Sequence, residues 1–401
     1  MKGKIIIVHP EKQHSLKMLS ALRELGYSVK LLTSFGISDD SIVWKKRNIF
    51  PNFIKSRLIN HKSSDSNAVI GITSISYLLF ALIRYFDTSR KITKILYPLY
   101  IKHFNRVVLE YFGRTNDTDV AIFFDSVSGD LIKKIKCRHH HIKLVTDMSA
   151  PYYPFMLEFF EREYNSRQLG YYPIDKFRLA NAHKEVKYSD YFFSASSVTK
   201  KSLLNFGVKE SKIKLSRYDL GTYSDNIKIE NNAGPLKILY VGNVCFEKGI
   251  HTLIDAVTLM KKIDVEVTMV GEYKKNKFCI SGAPNNFKFT GHLKREQLIN
   301  HYMEHDIFVF PSLADGFGFV VSEAIQHNLP VICSSNAGAK DLIINGVNGL
   351  VFNVADVNDL KDKILKIISS LNKDKECKKV DSIRTSYKEY LDFNINSIMN
   401  S

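Results

Sequence analysis

Twice along the chain a short apolar run gives way to a stretch of helical periodicity and then to another apolar run. This alternation is the strongest constraint on the fold. In the first half "KIIIVHP" reads as a strand and "HSLKMLSALRELG" as an amphipathic helix ended by Gly26. The runs "YSVKLLT", "DVAIFFD", "IKLVTDM" and "YFFSAS" read as further strands. In the second half strand "LKILYVG" leads to a helix from Gly249 to Lys262, then strands "VEVTMVG" and "FKFTG" and a helix from Arg295 to Glu304. Strand "IFVFPS", a helix from Gly318 to Asn328 and strand "PVICSS" complete it. Strands alternating with helices form parallel sheets, so the expected fold class is α/β, with two Rossmann-like domains facing a central cleft. The polar segment "YSDNIKIENNAGPLK", with Gly234-Pro235 just before a strand, reads as an interdomain linker. The expected domains are 1–230 and 231–401, with the C-terminal helix free to cross back to the first.

A chain of 401 residues, 45% of them hydrophobic, can bury two full cores. The apolar run Ile5 to Val8 is too short for a signal peptide, and nowhere do about 18 apolar residues run together. Five scattered cysteines without Cys-x-x-Cys spacing suit reduced thiols and imply no disulfide framework or zinc site. The expected location is cytoplasmic. Net charge is +16, and Ser41 to Glu110 hold twelve Lys and Arg against three acids, an excess that points to an anionic partner.

The stretch "PSLADGFGFVVSEAI", Pro311 to Ile325, places Asp315 beside a Gly-x-Gly turn and Glu323 on the helix that follows. Backbone N–H groups of Phe317, Gly318, Phe319 and Val320 then point out of a helix start, which is an anion cradle fit for a diphosphate. Carboxylates near phosphate repel it unless they serve something else, and their usual complement is a hydroxyl. One ligand with hydroxyls at both ends and a diphosphate between them is a nucleotide-sugar. An isolated pair of such acids is as readily a turn acid and a solvated helix acid, so the neighbouring loops matter. "VGNVCFEKG" offers Lys248 to the same carboxyl-end face as a point charge for phosphate, and "FTGHL" supplies a Gly291 turn whose backbone can meet a base.

From about Leu236 to Leu371 the chain resembles the retaining glycosyltransferases of the GT-B fold, family four. The resemblance runs in order through "YVGNVCFEKG", "MVGE", "FTGHL", "DIFVFPSLADGFGFVVSEAI", "LPVICSSNAGAKDLI" and "GVNGLVF". It implies that Asp315 contacts the donor sugar or the reacting face and that Glu323 holds ribose. It further implies that the amides between them bind diphosphate and that Lys248 matches the family's diphosphate lysine. Asp315 stands where the family usually has Glu, and Asn243 where an Arg often precedes the lysine by five. The catalytic set is therefore Asp315, Lys248 and Asp147. The donor-binding set is Glu323, Phe317, Gly318, Phe319, Val320, Asn243, Gly242, His292 and Leu293, with no metal ligand.

The first half resembles the family only loosely. "HPEKQHS" ends the first strand, so His9, His14 or Ser15 can touch acceptor or phosphate; equally, Ser15 can cap the helix that follows. Asp147 can meet an acceptor hydroxyl or be a plain turn acid. Consecutive His residues in "CRHHH" (Cys137 to His141) alternate faces and do not converge on one ion. The segments Ser74 to Phe86 and Ile95 to Phe104 suit a membrane interface or a packed core. "APYYPFMLEFFEREY" suits an acceptor platform or core packing.

The resemblance implies a retaining hexosyltransferase, expected to need no cofactor and, with Lys248 and a helix start in place of a cation, no metal. Its expected donor is a UDP- or GDP-sugar and its acceptor a glycan or lipid-linked oligosaccharide of a bacterial surface polysaccharide. An anionic membrane surface is an expected partner and nucleic acid is not. The alternatives are a nucleotide-sugar epimerase on the same fold, revealed by free epimer without glycoside, and a basic nucleic-acid-binding protein, revealed by salt-dependent DNA binding.

Overall fold

The alternation of strand and helix closes into two parallel sheets in the computed structural model, which describes residues 2–11, 14–34, 68–87, 91–115, 117–218, 234–273, 278–371 and 386–401. The first domain runs β1 (Lys4–Val8), α1 (Ser15–Glu24), β2 (Ser28–Thr33), β3 (Val69–Gly71), α2 (Ser74–Phe86), α3 (Lys91–Phe112) and β4 (Val120–Phe124). It continues through α4 (Gly129–Arg138), β5 (Lys143–Met148), α5 (Tyr153–Ser166), α6 (Lys176–Tyr188), β6 (Tyr191–Ser194), α7 (Ser197–Asn205) and β7 (Ile213–Leu215). The second runs β8 (Leu236–Val241), α8 (Ile250–Thr258), β9 (Val265–Val270), β10 (Phe287–Gly291), α9 (Arg295–Glu304), β11 (Ile307–Phe310) and α10 (Phe319–Gln326). It ends with β12 (Val331–Ser334), β13 (Gly349–Phe352), α11 (Val357–Leu371) and α12 (Tyr387–Met399).

The sheet orders are β3-β2-β1-β4-β5-β6-β7 and β10-β9-β8-β11-β12-β13. Central strands covered by helices on both faces must be apolar throughout, and all five residues of β4 are buried. Three strands outside the sequence expectation, β3, β7 and β13, all lie at sheet edges and have three or four residues. The linker boundary near residue 230 and the basic residues Lys45, Lys46, Arg47 and Arg90 lie outside the described residues.

The chain crosses back at its end. On α12, Asp392 and Asn396 accept from the Tyr27 hydroxyl at 3.1 and 2.8 Å, and Asn394 donates to the Leu215 carbonyl at 2.7 Å, so this helix rests on the first domain. The two aromatic segments at 74–104 form α2 and α3, and each divides into a buried and an exposed face. The "APYYPFMLEFFEREY" segment forms α5 and packs: Tyr152, Tyr153, Phe155 and Phe160 are buried in one cluster. No described helix is long and apolar enough to cross a membrane.

Gly271, at the carboxyl end of β9, has φ 143°, and a Cβ there would stand 1.9 Å from the Gly242 carbonyl oxygen. Only glycine lets the loops after β8 and β9 approach so closely. Gly271→Ala is expected to lower stability by roughly 1–3 kcal/mol, read as a shifted denaturation midpoint of the second domain. An unchanged midpoint would show that the two loops move apart freely.

Candidate functional site

The second sheet reverses its order between β8 and β11, and loops leaving the carboxyl ends of such strands diverge around a crevice. The β8 loop carries Lys248 and the β11 loop carries Asp315, so the topology brings them together. The Lys248 ammonium donates to Asp315 Oδ2, with the two side chains 28% and 14% exposed. Burial alone disfavours the ammonium, but the Asp315 charge outweighs it and the net pKa of Lys248 is raised. The pair is thus an ion pair at neutral pH, set at the mouth of a helix start.

That helix is α10. Gly318, at φ 77°, is its N-cap, and the helix begins at Phe319 rather than at Gly318. Val321 already donates to the Gly318 carbonyl at 2.9 Å, whereas the amides of Gly318, Phe319 and Val320 find no acceptor among the described residues. The phenyl ring of Phe317 is buried, so this residue closes the turn from inside. Half-buried Glu323, one turn into the helix, accepts from the Tyr302 hydroxyl at 3.0 Å. Burial first, and the Glu323 charge second, push the Tyr302 phenol far up, so it stays a donor.

At the carboxyl ends of β8, β9 and β10 lies a cavity of about 530 Å³ lined by Gly242, Asn243, Glu272, Tyr273, His292 and Leu293. Its volume falls within the usual range of small-molecule sites. All four loop residues expected to meet the donor, Gly242, Asn243, His292 and Leu293, share its wall. Helix α9 supplies Leu298 to the same wall and Tyr302, one turn on, to Glu323. Glu272, Tyr273 and Tyr302 were not singled out from the sequence. A strand-end acid, the Glu of "MVGE", was a signal for the first; nothing in the helix pattern marks Tyr302.

Across the cleft, Asp147 at the end of β5 is buried and lies 2.8 Å from His14 Nε2, which is also 2.8 Å from the Tyr218 hydroxyl. Asp147 is therefore held in a network and is not a plain turn acid. His14 is the N-cap of α1 and Ser15 its first residue, so Ser15 does not cap the helix. His9 is buried with its ring edge-on to Phe124, and burial pulls its pKa down to about 4. It is a neutral imidazole whose Nδ1 accepts the Glu11 amide at 2.9 Å. His139 and His141 stand edge to face, 6.2 Å apart, and no group of three metal-ligating side chains occurs among the described residues.

Asp125, ending β4, accepts from the Ser149 amide at 3.1 Å and its hydroxyl at 2.6 Å. Beneath that loop Glu185 accepts the amides of Ser126 and Ser128 at 2.8 and 2.9 Å, and burial pushes its carboxyl up to about 8. A Cβ on Gly316 would stand 1.7 Å from the Ser149 carbonyl oxygen, so the acid loop of one domain lies directly on the other. Asp341 adds a second tie, accepting from the Ser197 amide at 2.7 Å.

Residues 224–381 match the family described as Glycosyl transferases group 1. The capsular polysaccharide biosynthesis glycosyltransferase CapM of Staphylococcus aureus is 29% identical over 182 residues, 42% of this chain and 46% of that protein. A GDP-mannose-dependent alpha-mannosyltransferase of Corynebacterium glutamicum is 33% identical over 128 residues, 32% of this chain and 30% of that protein. The match thus spans less than half the length of either relative. HepE of Anabaena, solved in complex with UDP-glucose, superposes with a TM-score of 0.59 over 99% of this chain and 100% of its own, at 14% identity. Sequence similarity to the glycosyl transferases group 1 thus lies in the second domain, and the architecture of the whole chain is GT-B, two parallel-sheet Rossmann-like domains.

Proposed function

We propose that the chain is a retaining, metal-independent glycosyltransferase that moves a hexose from a UDP- or GDP-sugar to a hydroxyl of a glycan or lipid-linked oligosaccharide. The observation that carries this reading is that α9 links a nucleoside-sized cavity at β8–β10, through Leu298, to Glu323 near the open start of α10, through Tyr302. In this reading the base lies against Gly242, Asn243, His292 and Leu293, ribose meets Glu323, and diphosphate meets the amides of Gly318 to Val320. HepE, with a similar fold, was solved in complex with UDP-glucose, and CapM is a glycosyltransferase of capsular polysaccharide biosynthesis. The first supports a nucleotide-sugar donor and the second a surface-polysaccharide role.

The chemistry asked of the protein is positioning and charge stabilisation. The bond from the anomeric carbon to the diphosphate oxygen breaks while the acceptor oxygen bonds to the same face of that carbon. The acceptor proton passes to the departing diphosphate, so no protein nucleophile is required. Lys248 and the α10 amides stabilise the charge on the leaving oxygen. Asp315 holds Lys248 before the donor arrives, so the diphosphate competes with Asp315 for that cation. Asp147, fixed by His14 and Tyr218, orients the acceptor from the opposite side.

The two acids are expected to separate in mutants. Glu323→Gln weakens both nucleotide-sugar and bare nucleoside diphosphate, by about tenfold or more if one charged hydrogen bond of about 1.5–3 kcal/mol is lost. Asp315→Asn releases Lys248, so diphosphate affinity holds or rises while turnover falls. Calorimetry with the diphosphate beside initial rates tests this; equal loss of diphosphate affinity in both mutants would overturn the separate roles. Because Lys248 and a helix start supply the positive charge, turnover is expected to persist in chelator. Loss of most activity in chelator, restored by magnesium or manganese, would refute metal independence.

A further inference from the structure

Large exposed apolar side chains gather on one hairpin of the first domain. On α2 these are Ile75 (77% exposed), Leu79, Leu82, Ile83 and Phe86 (70%), and on α3 Ile92, Ile95 (71%) and Leu99. Positions 75, 79, 82, 83 and 86 recur every three or four residues, so they form one stripe along the helix. The opposite stripe already serves as the hairpin's own core: Tyr77 and Phe80 meet Tyr100 and Ile101, with Phe80 stacked on Tyr100 at 4.8 Å. Among the described residues the outward stripe is left exposed, and a contiguous apolar surface of this kind marks an interaction site.

Charge selects the occupant. Three, four and seven residues beyond Leu99, on the same face of α3, stand Lys102, His103 and Arg106, all exposed, with exposed Lys94 at the start of the helix. Glu110 is the one exposed acid of the two helices among the described residues, and Asp87 at the turn is buried, accepting the Thr93 amide at 2.6 Å. Apolar side chains flanked by cations, with one acid, complement a surface that is apolar inside and anionic outside. The hairpin also sits at the rim of the cleft. Arg84 lies 3.4 Å from Glu11 in the loop after β1, and the Tyr100 hydroxyl donates to Ser34 at the end of β2.

We propose that the α2–α3 hairpin docks on an anionic lipid bilayer, with its apolar stripe at the headgroup–acyl boundary and Lys94, Lys102 and Arg106 against the headgroups. Docked this way it brings the cleft to an acceptor held at the lipid surface; that last step rests on the transferase reading above, whereas the docking does not. The test is co-sedimentation of the full chain with vesicles of phosphatidylglycerol and phosphatidylcholine, against phosphatidylcholine alone. The chain is expected to bind the anionic vesicles, less so at high salt, with partitioning reduced at least tenfold by Leu79→Glu with Phe86→Glu and by Lys94→Glu with Lys102→Glu. Nucleoside-diphosphate affinity is expected to stay unchanged in both, reporting an intact fold; if the first pair unfolds, Ile95→Ser with Leu99→Ser takes its place. Three outcomes overturn the proposal. These are a wild-type chain that does not bind, apolar-stripe variants that bind as well as wild type, and a dimer seen by light scattering that those substitutions dissociate while vesicle binding persists. A chain that binds vesicles yet turns over no nucleotide-sugar leaves the docking in place and refutes the transferase reading alone.

Discussion

The close approach of Gly316 to the Ser149 carbonyl sets how the two halves of the molecule face each other. No side chain fits between them, so the loop that carries Asp315 is braced by the first domain as well as by its own sheet. Ser149 is in turn fixed by Asp125, and the turn after Asp125 is held by the buried Glu185. A chain of hydrogen bonds from the interior of one domain thus ends at the acid loop of the other. Catalytic geometry of this kind tolerates little looseness, and a brace that begins in a packed core supplies rigidity that a surface loop lacks.

Where the sequence was informative, it was because the fold demands a repeated pattern. A parallel strand buried on both faces must be apolar from end to end, so β1, β4, β5, β8, β9 and β11 are visible as runs. Edge strands have one neighbour and partial exposure, and in three or four residues β3, β7 and β13 carry no such pattern. The residues expected at the donor site are chosen for a related reason. Binding loops leave the carboxyl ends of strands, and Gly242, Asn243, Lys248, His292 and Asp315 each follow a strand closely. Residues that act through tertiary contact were not legible. Tyr302 reaches Glu323 from another helix, and Asp125 reaches Ser149 from another strand; both partners are set by packing that local sequence does not encode. Ser15 shows the opposite failure: a good capping residue sits one position inside the helix because His14, drawn to Asp147 and Tyr218, takes the cap position.

The ion pair between Lys248 and Asp315 changes what the acid pair of "DGFGFVVSEAI" means. Read from spacing alone, Asp315 and Glu323 are two hydroxyl ligands at either end of a donor. In the structure Glu323 is oriented by a neutral donor, Tyr302, while Asp315 neutralises Lys248 near the helix start. A carboxylate so close to a phosphate site would repel an anion if it stood alone; paired with Lys248 it cancels much of that repulsion and keeps the ammonium in position. The shorter side chain of Asp at this position suits contact with the lysine. In the proposed reading the empty and occupied states differ in which partner, Asp315 or diphosphate, holds that charge.

Tyr218 extends that coupling to the acceptor side. It is the last described residue before the second domain, and its ring lies 4.5 Å from His14, 5.2 Å from Phe317, 5.1 Å from Phe319 and 5.6 Å from Tyr387, centroid to centroid. Aromatic pairs of this type contribute roughly 0.5–1.5 kcal/mol each beyond the area they bury. Its hydroxyl meets His14, which meets Asp147. One side chain therefore touches the first turn of α10, the network that fixes Asp147, and the C-terminal helix that returns to the first domain. Phe319 remains 42% exposed beside this cluster and forms, with Leu16, Lys17 and Lys388, the wall of a groove of about 410 Å³. A shift of the α10 start on diphosphate binding cannot leave Tyr218 in place without breaking these ring contacts. In the proposed reading that aromatic cluster joins the helix expected to meet the donor to the network that holds Asp147, so a displacement of one is transmitted to the other.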